Sequence, residues 1–277
     1  MRVILTQLPL ALERGQENFD TVLRAVEKSD VVPEPGDLLL LPELVDLRSS
    51  RRLYESSVAR LARRLGCHVV GGTHRHPCDG GLRNAGIAVA PDGSLCSRYE
   101  KCRPYGGASD AQPGVLRPPF RVAEWTVRVL VCADFWHANL WLGPDRPDLV
   151  LVAALSVSRK PRPEFARGLW RNMAIARAYE FGALVGISDW AHPFPEPSHP
   201  ASGVGGLADP TTADPRRFFR PVGPSGIRAF ELDRRAVARL RADCASRAFL
   251  HDRDGQFQGD SHDRPPGSHG QLPGSGA

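Results

Sequence analysis

The chain has 277 residues, of which 42% are hydrophobic and 24% are charged, as is usual for a folded globular protein. No apolar run approaches the roughly 18 residues that a membrane span requires, and the N-terminus lacks a signal-peptide pattern, so we expect a cytoplasmic protein with no membrane partner. The net charge of +5 is spread along the chain, which argues against a nucleic-acid partner.

The first third of the chain alternates short apolar runs with amphipathic segments. The apolar runs predict strands over 2–7, 37–43 and 68–73, and helical spacing predicts helices over 13–29 and 49–65. Gly66 follows the second helix, where a glycine commonly ends a helix. A hairpin follows, with strands 84–90 and 95–101 around a turn at 91–93.

A Gly- and Pro-rich loop over 102–119 separates this part from the next strands. The remaining predicted elements are a helix over 165–181, ended by Gly182, and strands over 127–131, 148–153, 183–187, 203–208 and 227–232. Alternating strands and helices indicate a layered α/β protein, which we assign to one domain over residues 1–250. Residues 251–277 lack apolar periodicity and are predicted to be a disordered tail.

The six cysteines are expected to be free thiols, because no secretion signal precedes a chain that is long enough to bury a core. His74, His76 and Cys78 resemble a short metal cluster, but they are more consistent with a polar surface loop, so no metal site is predicted. Only three of the 36 basic residues are lysines. A lysine here is therefore a candidate for a role that needs a compact ammonium group.

Three reactive side chains share one local context, the end of a strand that we expect to be buried. Glu43 ends the run Leu-Leu-Leu-Leu-Pro-Glu, Lys101 ends the second hairpin strand, and Cys132 ends the strand 127–131. Ligands of open α/β sheets collect at the carboxyl ends of strands. Acyl transfer needs a thiol, a base that takes its proton and a cation that stabilises an oxyanion, and this trio supplies all three.

The motifs around these residues resemble the nitrilase superfamily of carbon-nitrogen hydrolases. The resemblance rests on Leu-Leu-Pro-Glu-Leu at 40–44, Tyr-Glu-Lys-Cys-Arg-Pro-Tyr-Gly at 99–106 and Val-Leu-Val-Cys-Ala-Asp-Phe-Trp at 129–136. It continues through segments at 148–154, 170–180 and 203–210, and covers roughly residues 2 to 235. The order Glu43, Lys101, Cys132 is that of the family.

The resemblance implies a four-layer αββα sandwich, usually assembled as a homodimer or a higher homo-oligomer. It implies hydrolysis of a non-peptide C–N bond of a small molecule through a cysteine thioester, with no cofactor. Carried over by position, Cys132 is the nucleophile, Glu43 the general base, and Lys101 with the backbone N–H of Ala133 the oxyanion site. Lys101 is also expected to favour the thiolate of Cys132.

One departure from the family pattern lies in the loop after the lysine. Many members carry a second glutamate there, whereas this chain has Asp110 as the only acid before Pro113-Gly114. Asp110 is thus a possible auxiliary acid with a side chain one methylene shorter, or the position is empty.

For several other residues near the motifs, a functional role is weighed against a structural one. Trp136, His137 and Trp190 either line a substrate pocket or fill the core or a dimer interface. Asp134 is predicted to accept hydrogen bonds from loop amides rather than to catalyse. The basic group Arg159, Lys160 and Arg162 is assigned to solvated surface rather than to a substrate carboxylate.

Three functions remain open at this stage. The first is an amidase-type hydrolase that acts on an amide, carbamoyl or ureido compound. The second passes the same thioester to an amine acceptor. The third is a degenerate member that binds a ligand without turnover, which the missing loop glutamate suggests. A papain-like Cys-His enzyme is disfavoured, because no histidine has a convincing partner context.

Overall fold

The computed structural model describes residues 1–11, 15–47, 50–105, 111–142, 145–157, 162–194, 200–224, 226–247 and 249. In this part of the chain there are four α-helices: α1 (Gly15–Lys28), α2 (Arg51–Leu65), α3 (Pro163–Glu180) and α4 (Arg234–Ser246). The first strands are β1 (Arg2–Leu8), β2 (Leu38–Leu40), β3 (His68–Val70), β4 (His74–Cys78), β5 (Gly81–Val89), β6 (Leu95–Glu100) and β7 (Ala111–Gln112). The others are β8 (Phe120–Val122), β9 (Trp125–Val131), β10 (Leu149–Ala153), β11 (Leu184–Trp190), β12 (Gly206–Ala208), β13 (Phe219–Pro221) and β14 (Ile227–Glu231).

Strand β1 joins two halves of a curled sheet. It pairs in parallel with β2 and antiparallel with β14 in the first half, where β2, β3, β5 and β4 follow in order. At its carboxyl end it also pairs in parallel with β11, through Gln7–Asp189 and Leu8–Trp190. The second half continues from β11 to β10, β9 and β8. The carboxyl ends of β1, β2, β9, β10 and β11 therefore meet near this junction.

The two faces of the central strands pack into two separate hydrophobic cores. Val3 and Leu5 of β1 belong to the larger core, which also holds the inner residues of β9, β10 and β11, whereas Ile4 between them packs in a second core beneath α1 and α2. Helix α3 covers the other side of the second half through small buried residues such as Ala174 and Ala178. The arrangement is the predicted mixed α/β sandwich with helices on the outside of two sheet layers.

Several local predictions hold and several elements were missed. Gly66 adopts the left-handed conformation (φ 66°) and caps α2, and Gly182 (φ 58°) follows α3. Residues 74–78 form strand β4 rather than the predicted surface loop, because they pair along their whole length with β5. Helix α4 and the short strands β7, β8 and β13 were also not predicted. No helix in the described ranges is long and apolar enough to cross a membrane.

Candidate active site

The three predicted reactive residues lie together at the sheet junction. Glu43 follows β2 by three residues, Lys101 follows β6 directly, and Cys132 follows β9 directly. The Nζ atom of Lys101 lies 2.6 Å from Oε1 of Glu43, and both side chains are buried. Cys132 lines the same cavity as this ion pair. The structure therefore brings a thiol, a carboxylate and an ammonium group into one site.

Glu43 is held by its main chain. Its N–H donates to the carbonyl of Ala154 (3.2 Å), and its carbonyl accepts from the indole N–H of Trp190 (2.8 Å). The next residue, Leu44, adopts a left-handed conformation (φ 55°) and donates its N–H to Oγ1 of Thr73 (2.8 Å). Three separate segments thus fix the position of the carboxylate, although β2 itself ends before it.

Asn84 of β5 contributes a contact that the sequence did not reveal. Its Nδ2 donates to Oε1 of Glu43 (2.8 Å), and its backbone carbonyl accepts from the N–H of Lys101 (2.9 Å). Its Oδ1 atom is buried and has no hydrogen-bond partner among the described residues. The available signal was a polar side chain at the start of the otherwise apolar strand predicted over 84–90.

Cys132 sits in a sharp turn at the end of β9. Its backbone lies in the left-handed region (φ 46°), which costs a residue with a Cβ about 1–2 kcal/mol. A 3-10 helix, Cys132–Trp136, begins at this residue. The thiol lies 3.4 Å from the carbonyl of Leu155, to which it donates. A strained turn that is retained at a reactive residue is typical of a site that aims a nucleophile.

The electrostatic environment keeps the resting thiol neutral. Burial raises the pKa of Cys132 above its ordinary value, and the charge of Glu43 raises that pKa further, whereas Lys101 lowers it only in part. Burial opposes the charge on Lys101, yet the neighbouring carboxylate of Glu43 raises the pKa of Lys101 above its ordinary value, so it remains an ammonium ion. Lys101 therefore lowers the pKa of the Cys132 thiol, as expected, but by less than burial and Glu43 raise it.

Asp134 ties the cysteine turn to the lysine strand, as predicted for a structural acceptor. Its carboxylate accepts from the backbone N–H groups of Cys102 (3.1 Å), Arg103 (2.7 Å) and Val131 (3.2 Å). Burial raises the pKa of Asp134 to about 6, although these three amides oppose the rise. The chain segments that carry Lys101 and Cys132 are therefore cross-linked by one carboxylate.

A cavity of about 570 Å³ opens above these groups, which is a size suited to a small molecule. Trp136 and Ala133 are among the residues that line it. Trp190 does not belong to the lining, because it is completely buried behind Glu43, and His137 is exposed to solvent away from it. The other described lining residues are mostly apolar and include Leu44, Leu82, Tyr105, Leu155, Phe165, Leu169 and Trp170.

Some predictions fall on residues outside the described ranges, namely Asp110, Arg159, Lys160 and the segment 251–277. Arg162 is described; it is exposed and does not line the cavity. All six cysteines are free thiols. Over the described positions, no group of three histidine, cysteine or acidic side chains is arranged to hold a metal ion.

The sequence from residue 2 to residue 186 matches the family model described as carbon-nitrogen hydrolase. This chain belongs to the carbon-nitrogen hydrolase family. The family assignment places the protein among the enzymes that hydrolyse C–N bonds. Comparison with curated protein sequences gave no match.

Solved structures of the nitrilase superfamily share the fold. Nit3 of Saccharomyces cerevisiae, a member of branch 10 of the superfamily, is 19% identical with a TM-score of 0.69, and the match covers 88% of this chain and 93% of that one. An amidase from Nesterenkonia sp. is 19% identical with a TM-score of 0.66, over 89% and 95% of the two chains. A carbon-nitrogen hydrolase from Helicobacter pylori G27 is 13% identical with a TM-score of 0.69, over 88% and 92%.

Proposed function

We propose that this carbon-nitrogen hydrolase cleaves a small amide, carbamoyl or ureido compound through a thioester on Cys132. The observation that carries the proposal is the buried ion pair of Glu43 and Lys101, 2.6 Å apart, in the cavity that Cys132 lines. A buried carboxylate, a buried ammonium ion and a thiol in one small cavity supply the groups that acyl transfer requires.

In the first half-reaction, Glu43 takes the proton of the Cys132 thiol as sulfur attacks the carbonyl carbon of the substrate. A base is needed because the thiol is neutral in the resting site. The C–S bond forms, and the carbonyl oxygen becomes an oxyanion. The C–N bond then breaks, Glu43 returns the proton to the departing nitrogen, and ammonia or an amine leaves.

In the second half-reaction, Glu43 takes a proton from water, and the hydroxide attacks the thioester. The C–S bond breaks, sulfur recovers the proton, and the acid product leaves. Both half-reactions pass through an oxyanion that needs hydrogen-bond donors. We assign these to the ammonium of Lys101 and the N–H of Ala133, which lies in the first turn of the 3-10 helix and so has no acceptor within that helix.

One structural neighbour offers support by analogy. A variant of the Nesterenkonia amidase carries the product of Michael addition of acrylamide at its active-site cysteine. A cysteine in that fold is therefore open to an electrophile of the size of a small amide. In this chain, Cys132 likewise lines a cavity of a size suited to a small molecule.

The direct test is ammonia release from a panel of small aliphatic amides, ureido compounds and nitriles by the wild-type protein and by Cys132→Ala. We expect release from at least one amide or ureido compound, and loss of that activity in Cys132→Ala by at least a thousandfold. Cys67→Ala is the matched control, because Cys67 is another buried thiol but packs in the second core. It should retain activity.

Ammonia release that survives Cys132→Ala would eliminate the proposed nucleophile. Absence of release from every compound, together with no alkylation of Cys132 by iodoacetamide, would favour a member that binds without turnover. Addition of hydroxylamine separates hydrolysis from acyl transfer: a hydroxamate formed faster than the acid product would show that the thioester is passed preferentially to an amine.

A further inference from the structure

Arg75 lies in the cavity beside the catalytic groups, on the side of strand β4. The register of β4 and β5 places Arg75 directly opposite Asn84, so the two side chains share one face of the strand pair. Both line the cavity. The residues that flank Arg75, His74 and His76, lie on the other face, where their rings stack on each other with 5.1 Å between centroids.

The charges of the described cavity lining do not balance among themselves. Among the described lining residues, only Glu43, Lys101 and Arg75 are charged. Glu43 and Lys101 neutralise each other across 2.6 Å. Arg75 forms no ion pair or hydrogen bond through its guanidinium with any described residue, whereas Arg83 on the opposite face of the same strand pair lies 3.8 Å from Glu100. The described lining therefore carries one uncompensated positive charge.

The surroundings of this charge favour an anionic group with two oxygens. The described cavity lining is mostly apolar and includes Leu82, Tyr105, Phe165 and Leu169. A guanidinium group in such surroundings binds a carboxylate through two parallel N–H···O bonds, and the low local polarity strengthens those bonds. A neutral ligand would leave the guanidinium without this partner.

We propose that the cavity selects amides whose other end carries a carboxylate, which Arg75 binds. The inference rests on the proposed function, because it concerns the substrate of the same site. Arg75 is the cross-strand neighbour of Asn84, and Asn84 donates a hydrogen bond to Glu43. This spacing separates the carboxylate from the scissile carbonyl by a short chain and points to monoamides of small dicarboxylic acids.

The test compares chain-matched substrates that differ only in charge: succinamate with succinamide, glutaramate with glutaramide, and adipamate with adipamide. For the best chain length we expect kcat/KM to be at least tenfold higher for the monoamide acid. Arg75→Gln should lower kcat/KM for that acid by about 10- to 100-fold, as expected for loss of a charge-assisted hydrogen bond, and should change the diamide less than threefold.

Two further variants serve as controls. Arg75→Lys keeps the charge but loses the fork geometry, so its kcat/KM for the acid should be intermediate. Arg121→Gln removes one positive charge from an exposed position on β8, outside the cavity, and should leave both substrates unaffected. Equal losses on acid and diamide in Arg75→Gln, or no preference for the acid in the wild type, would refute the inference while leaving Cys132-dependent hydrolysis intact.

A binding measurement tests whether Arg75 binds a carboxylate without relying on turnover. Calorimetric titration with glutarate should give a Kd for Cys132→Ala that is at least tenfold lower than for the Cys132→Ala/Arg75→Gln double variant. Equal affinity, or no binding to Cys132→Ala, would contradict the inference. Failure of the proposed function would give a different result, namely amide hydrolysis that does not depend on Cys132.

Discussion

Replacement of Asp134 by asparagine tests the cross-link between the two strand ends. The carboxylate accepts three backbone N–H groups, through Oδ1 from Arg103 and through Oδ2 from Cys102 and Val131. A carboxamide keeps only one oxygen and turns its NH₂ group toward the remaining amides. One or two buried donors then lose their acceptor, at a cost of about 1–3 kcal/mol for each.

The size of this effect should depend on pH. Burial raises the pKa of Asp134 to about 6 in the folded protein, whereas its ordinary value is 3.8. Between these values the folded protein holds a proton that the unfolded chain has released, so this group's contribution to stability is present below pH 4 and is lost as pH rises through about 6. The difference corresponds to about 3 kcal/mol. Asparagine has no such titration.

The assay is urea denaturation of the wild type and Asp134→Asn at intervals from pH 4 to pH 7. We expect the variant to be less stable throughout the acidic range, and its deficit relative to the wild type to shrink by about 3 kcal/mol on going to pH 7. The comparison cancels every other titrating group. A deficit that grows with pH would show that the three amides outweigh burial, and our reasoning about this carboxylate would be wrong.

Three other substitutions give independent expectations. Asn84→Ala removes a hydrogen bond to the ionised Glu43 and should lower kcat/KM on the best amide by about 10- to 100-fold at unchanged Tm; a loss below threefold would contradict this role. His74→Phe should abolish a loss of stability of about 3 kcal/mol between pH 6.5 and 4, measured by urea denaturation, because burial and then His76 lower the pKa of His74 to about 4. Trp170→Ala should cost about 3–5 kcal/mol in the same assay, since its ring stacks on Phe135 at 4.9 Å; a cost under 1 kcal/mol would refute this.

The sequence predicted the parts of the site that depend on strand ends. Glu43 and Cys132 could be placed because each ends an apolar run, and such runs mark buried strands whatever their neighbours. Lys101 could be placed because it ends the second strand of a hairpin whose turn is evident in the sequence. Asn84 and Arg75 were missed, because their importance comes from the antiparallel pairing of β4 with β5. Residues 74–78 have too little apolar alternation to predict a strand, and only the pairing partner reveals one.

For the aromatic residues near the site, the sequence also could not decide between a pocket and a core position. The sequence left both a pocket and a core position open for Trp136, and the ring lines the cavity because it lies in the same turn as Cys132. The same two positions were open for Trp190, and it takes the core position: its indole N–H donates to the backbone carbonyl of Glu43. Sequence distance from a strand end does not determine which side of the backbone a ring occupies.

The site depends on both halves of the sheet. Glu43 and Lys101 follow strands of the first half, whereas Cys132 follows a strand of the second. The backbone of Glu43 is nevertheless held from the second half, by the carbonyl of Ala154 after β10 and by Trp190 at the end of β11. Because β1 pairs with β11 only through its last residues, the distance between Glu43 and Cys132 is set by how the two halves pack. The large core between them therefore helps to set the geometry of the site, since a shift of one half would move the thiol of Cys132 relative to the carboxylate of Glu43.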